Sequence, residues 1–138
     1  MFFKQRNAHA IPLFIQAKIL PVNFVYHSSV AFLMHDVSTH SAPPNLLNLF
    51  RATSDVHQYD TRSSASKNIY NEKFNLELQR KSFSIYGPKV WNAIPNCLRD
   101  MPKQMFKKKF KKILFNILEQ QDDYIESPLI NEKIKLFV

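Results

Sequence analysis

The only glycine, the only tryptophan and the only cysteine of this chain fall within one stretch, SFSIYGPKVWNAIPNCLRDM (residues 82–101), which also holds two of the eight prolines. Gly87 permits backbone angles that other residues resist, and Pro88 presets the first turn of a helix. Pro95 stops that helix. Trp91, flanked by Val90 and Ile94, supplies a large apolar plug close to the bend. The pattern predicts a corner, strand into short helix, that anchors the core. A Trp91 left free to stack on a ligand or base is the alternative reading.

The chain has 138 residues, enough for one modest core. Its formal charge of +8 favours polyanions such as nucleic acid or an acidic membrane surface. That charge is concentrated: residues 99–112 carry seven Lys or Arg against one acid, whereas residues 113–138 carry two against five. The lone Cys97 rules out an internal disulfide and fits a reducing compartment, where it is expected as a small buried hydrophobe. No apolar run reaches the length of a membrane span, and the charged, proline-interrupted start does not read as a signal peptide. An intracellular protein, cytoplasmic or nuclear, is expected.

Along the chain, HAIPLFIQAKILP reads as a short helical or extended segment, and Pro21 opens a helix running to about Val37. Phe24, Val30, Ala31, Phe32 and Met34 give that helix a broad apolar face. STHSAPPN interrupts it, and Pro44 or Asn45 starts another short helix, completing a helical hairpin. Residues 51–68 are polar and serine-rich and read as a long loop. In KFNLELQ and SFSIY apolar residues alternate with polar ones, which predicts a two-stranded ribbon turning at Arg80 and Lys81. Asp100 as a capping acid and Pro102 in the first turn open the last helix. On it Phe106, Phe110, Ile113, Leu114 and Ile117 share one face and the lysines spread over the rest. The fold class expected is mainly α with a small β-hairpin, residues 1–118 forming one unit and the acidic residues 119–138 a frayed tail.

Catalytic constellations with diagnostic spacing are missing. His35 and His40 lie five apart without partner thiols, which argues against a metal site. One glycine cannot build a glycine-rich phosphate loop. The adjacent Asp122 and Asp123 read as solvated charges. What remains is the basic helix, whose lysines can neutralise phosphates with salt-sensitive affinity, or which can dock in a partner's groove or on an anionic membrane.

Three pieces in order, VHQYDTRSS, SFSIYGPKVWNAIP and FKKKFKKIL, resemble the carboxy-terminal tail of the reverse transcriptases of non-LTR (LINE-type) retrotransposons. That tail typically reads His-x-Tyr-Asn-Thr-Arg, then Phe-x-x-x-Gly-Pro-x-x-Trp-Asn-x-Leu-Pro, then a basic helix. The matching residues are His57, Tyr59, Thr61 and Arg62, then Phe83, Gly87, Pro88, Trp91, Asn92 and Pro95, then Phe106 and Lys107. Asp60 and Ile94 depart from the usual Asn and Leu. The likeness runs from about residue 11 to residue 118 and implies a fragment without the polymerase and endonuclease motifs of the family. Two-metal phosphoryl transfer needs carboxylates around shared ions, and no candidate set is present, so no enzyme activity and no cofactor are expected. The resemblance implies a region that helps to hold RNA or DNA beside the parent polymerase. Arg62, Lys107, Lys108, Lys111 and Lys112 are the expected phosphate contacts, with His57 and Tyr59 as candidates for base stacking. The competing expectation is an independent interaction module that uses the basic amphipathic helix.

Overall fold

The computed structural model describes residues 10–56, 59 and 66–119, apart from the side chains of Ala10 and Leu78. Seven α-helices are present among them: α1 (Ala10–Ala17), α2 (Val22–Ser38), α3 (Pro44–Leu47), α4 (Thr53–Val56), α5 (Phe83–Ala93), α6 (Asn96–Arg99) and α7 (Lys103–Glu119). A 3-10 turn covers Glu77–Lys81. The mainly helical expectation holds, and α2 runs within a residue or so of its predicted limits.

Three helices make the core. α2 packs on both α5 and α7, and α1 lies on α7. α7 contributes Phe106, Phe110, Leu114 and Ile117, all fully buried. Phe106 stacks on Phe110 at 5.5 Å and on the His35 ring at 4.7 Å, while Phe32 meets both phenyl rings edge-on. Trp91 of α5 fits edge-to-face against Phe106 at 6.2 Å and is 2% exposed, so it is a core residue and not a stacking platform.

The expected β-hairpin is not formed. Among the described residues there is no strand, only an isolated antiparallel bridge between Ala52 and Ile69. SFSIY is instead the start of α5, and the reason lies beyond that five-residue window. Phe83, Gly87, Val90, Trp91 and Ile94 follow one another at helical intervals across the Gly-Pro pair, and α5 turns this side toward α2. KFNLELQ finds no partner strand, leaves Leu76 62% exposed and closes into the 3-10 turn.

The role of Gly87 changes accordingly. It is not a corner residue but sits within α5, followed by Pro88, which removes one helical hydrogen-bond donor. Its missing side chain serves close approach: a Cβ there would lie 2.7 Å from Met34 Sδ and 3.3 Å from Phe83 Cε2. The left-handed turns fall instead to Lys18, His40 and Lys67, with φ of 54°, 56° and 51°. Two further expectations are corrected. Asp100 ends α6 rather than capping α7, and Pro102 directly precedes α7. Cys97 is exposed, because the four-residue α6 turns Leu98 and Arg99 inward instead.

Candidate nucleic-acid interface and adjoining cleft

The apolar side of α7 is largely consumed by the core, and Gln104, the 53% exposed Met105 and Asn116 share the outer side with the lysines. The lysines fall into two groups. Lys103 and Lys107 are tethered to α2: the Lys103 ammonium lies 2.8 Å from both carboxylate oxygens of Asp36, with hydrogen-bond geometry to Oδ2, and Lys107 Nζ sits 5.4 Å from the centre of the Phe32 ring. Lys108, Lys111 and Lys112 are exposed and make no ion pair among the described residues. At 100° per residue these three share one side of α7, with Lys109, also exposed, farther round.

Of the expected phosphate contacts, α7 thus brings Lys108, Lys111 and Lys112 together and turns Lys107 onto an aromatic face. Arg62, Thr61 and His57 lie outside the described residues. Tyr59 is 82% exposed. The remaining motif positions are structural. Phe83 meets Phe50 edge-on at 5.3 Å, Pro88 is buried, and Pro95 precedes α6. Asn92 turns its amide on the backbone of Ile69, accepting from the Ile69 N–H at 3.0 Å and donating to the Ile69 carbonyl at 2.8 Å. A side-chain amide presents the same donor and acceptor pair as a peptide group, so Asn92 stands in for a neighbouring strand.

Asn92 and the Ala52–Ile69 bridge fasten the base of the polar loop. Thr53 N–H and Thr53 Oγ1 both donate to the Asn68 carbonyl at 2.9 Å, and Tyr70 N–H donates to the Arg51 carbonyl. Arg99 holds the same base from beneath: Nη1 donates to the Ser66 carbonyl at 3.0 Å and to Asn68 Oδ1 at 2.9 Å, and Nε donates to the Ile94 carbonyl at 2.6 Å. Its guanidinium also lies 5.4 Å from the Trp91 ring centre. Burial pulls its pKa below the usual arginine value, and the adjacent Asp100 carboxylate opposes that shift.

Between this loop base, the end of α2 and α6 opens a cleft of about 920 Å³, with His35, Trp91 and Arg99 in its lining. His35 Nε2 donates to the Met101 carbonyl at 2.9 Å, which leaves Nδ1 as a buried acceptor without a partner among the described residues. Neither the cleft nor the inward turn of Arg99 was visible in the sequence, where Arg99 counts simply as the first charge of the basic run.

On the other side of α2, His27 is fully buried and lies 2.8 Å from the Tyr86 hydroxyl through Nδ1. Tyr26 stacks on Tyr86 at 5.7 Å. Burial lowers the His27 pKa from 6.5 to about 4, which keeps the ring neutral at physiological pH.

No group of three or more His, Cys, Asp or Glu among the described residues is placed to hold a metal ion, and no described helix is long and apolar enough to cross a membrane. Compared with models of protein families, with curated proteins and with solved structures, the chain matches none.

Proposed function

We infer that this chain is a non-catalytic region derived from a non-LTR retrotransposon reverse transcriptase, and that it holds RNA or DNA phosphates, independently of base sequence, on the exposed lysines of α7. One observation carries the binding reading. The main apolar face of α7 is sealed in the core, and three exposed lysines without an ion pair among the described residues, Lys108, Lys111 and Lys112, share one outer side, a surface suited to a polyanion. The same observation weighs against the helix lying on a membrane or inserting into an apolar groove, since both use the face that is already buried. The origin rests on the resemblance alone; in the fold Gly87, Trp91 and Asn92 occupy positions where packing or hydrogen bonding restricts the residue type.

A second reading, an interaction module, draws on a different surface. Val22, Val25 and Tyr26 of α2 are 78%, 45% and 49% exposed and share one side of the helix. In this reading apolar α2, not α7, meets the partner, which could be the parent polymerase.

Binding to single-stranded RNA and to duplex DNA across a salt series tests the first reading. Replacing Lys108, Lys111 and Lys112 together by Gln removes three charges and is expected to lower the slope of log K against log salt by roughly 2–3. Unchanged affinity and slope would remove α7 from the interface. Tight binding to a protein partner, lost on Tyr26→Ser and without any nucleic-acid affinity at low salt, would favour the second reading.

A further inference from the structure

Arg99 is the only arginine or lysine among the described residues that is buried, at 8% exposure. Among the described residues its three hydrogen bonds all go to neutral oxygens, from Ile94, Ser66 and Asn68, and no carboxylate lies within ion-pair distance of it. Asp100, next in the chain, turns instead to Lys67 at 3.3 Å. Nη2 makes no hydrogen bond within the described residues. Asp100 thus acts on Arg99 through charge alone, without an ion pair, and a desolvated cation so incompletely matched is expensive; proteins ordinarily offset it with a carboxylate, a metal-bound anion or a ligand. Here Arg99 lines an open cleft rather than a sealed core.

The rest of the cleft carries an excess of the same sign. Arg51, Lys67 and Lys103 join Arg99 in the lining, against Asp55 and Asp100. The pairs that engage the outer cations, Arg51 with Glu72 at 3.8 Å and Lys67 with Asp100 at 3.3 Å, are exposed and weakly held. Lys103 is engaged by Asp36. The buried charge is therefore the fixed one, and the outer ones can turn toward an incoming anion. The volume also exceeds what an inorganic ion needs and suits a nucleotide-sized group.

From these observations we propose that the cleft between the end of α2, the loop base at 66–69 and α6 is a phosphate-binding site, with the unpartnered Nη2 edge of Arg99 as its anchor and Lys67 at its rim. The guanidinium fork matches the oxygens of a phosphate group. The site is distinct from the α7 face, since Lys108, Lys111 and Lys112 do not line it. It stands or falls independently of that interface.

The arginine Nε–Hε resonance of Arg99, followed by NMR on the full chain, reads the site without any substitution. Three probes are titrated separately: inorganic phosphate, adenosine 5′-monophosphate and a dinucleotide with one internal diester. A saturable shift with the first two assigns a terminal or free phosphate, and a shift with the dinucleotide assigns a backbone phosphate; either supports the site. The Lys108, Lys111 and Lys112→Gln variant is expected to give the same curves. Arg99→Lys, which keeps the charge but not the fork, is expected to weaken phosphate binding about tenfold, read from the Trp91 fluorescence. Because Arg99 also fastens the loop base, Lys67→Gln serves as a milder variant, with binding weakened severalfold and folding intact. No shift of the Arg99 resonance with any probe, or a shift that vanishes in the α7 variant, would overturn the proposal.

Discussion

Acidification should loosen the α2–α5 seam through one residue. His27 is fully exposed to water in the unfolded chain but sealed beside Tyr86 in the fold, and its pKa falls from 6.5 to about 4. The folded pKa is the lower one, so as pH drops the unfolded chain takes up the proton first. The stabilising effect of a neutral His27 is thus complete above about pH 7, shrinks between about pH 6.5 and about pH 4, and is gone below that. A difference of about 2.5 pH units at about 1.4 kcal/mol each gives a loss of roughly 3 kcal/mol. Against a total stability on the order of 5–15 kcal/mol for a domain, that is a large share. Carboxylates titrate in the same window, so the measurement is a comparison. Urea unfolding of the wild type and of His27→Gln, followed by the fluorescence of Trp91, is run at about pH 7.5 and about pH 4. The substitution lowers stability at the higher pH, but the wild type should lose roughly 3 kcal/mol more than the variant on going to the lower one. Parallel losses in the two proteins would refute the reasoning, since His27 would then not be held neutral by its surroundings.

Three other outcomes follow from particular contacts. Asn92→Ala removes both hydrogen bonds to Ile69 and strands a buried peptide group; a loss of about 2–3 kcal/mol in chemical denaturation is expected, and Asn92→Asp, which keeps only the acceptor, should not restore it. Gly87→Val places new carbon against the fully buried Met34, and a fall in the thermal midpoint matching about 2 kcal/mol or more is expected, because overpacking of 1–3 kcal/mol adds to a β-branched side chain in a helix. Lys107→Gln, whose ammonium rests on Phe32, should change the salt slope of nucleic-acid binding less than Lys108→Gln does, as read by fluorescence anisotropy.

The helices were legible where periodicity extends over many residues. α2 and α7 announce themselves through their apolar spacing, and the residues expected on the inner face of α7 are those that fill the core, with Ile113 half-buried at its margin. The local window misled at residues 74–86, where a five-residue alternation looks like a strand although the longer period from Phe83 to Ile94 is helical. Gly87 was legible as special, but its reason was not: a turn and a close interhelical contact both demand the smallest residue, and only the partner, Met34, tells them apart. Of the site, the lysine side of α7 could be read from spacing. The inward turn of Arg99 could not, because it depends on oxygens contributed by Ser66 and Asn68, some thirty residues earlier in the chain.

Placing the sole glycine inside a helix leaves Lys18, His40 and Lys67 to hold left-handed backbone that a β-carbon resists by about 1–2 kcal/mol each. The connections of this protein are therefore its untapped reserve. Glycine at position 18, which neither lines the cleft nor belongs to α7, would relieve strain and still return a net gain after the added freedom of the unfolded chain is counted. The molecule can in that way be made hardier at its corners while its binding surfaces stay untouched.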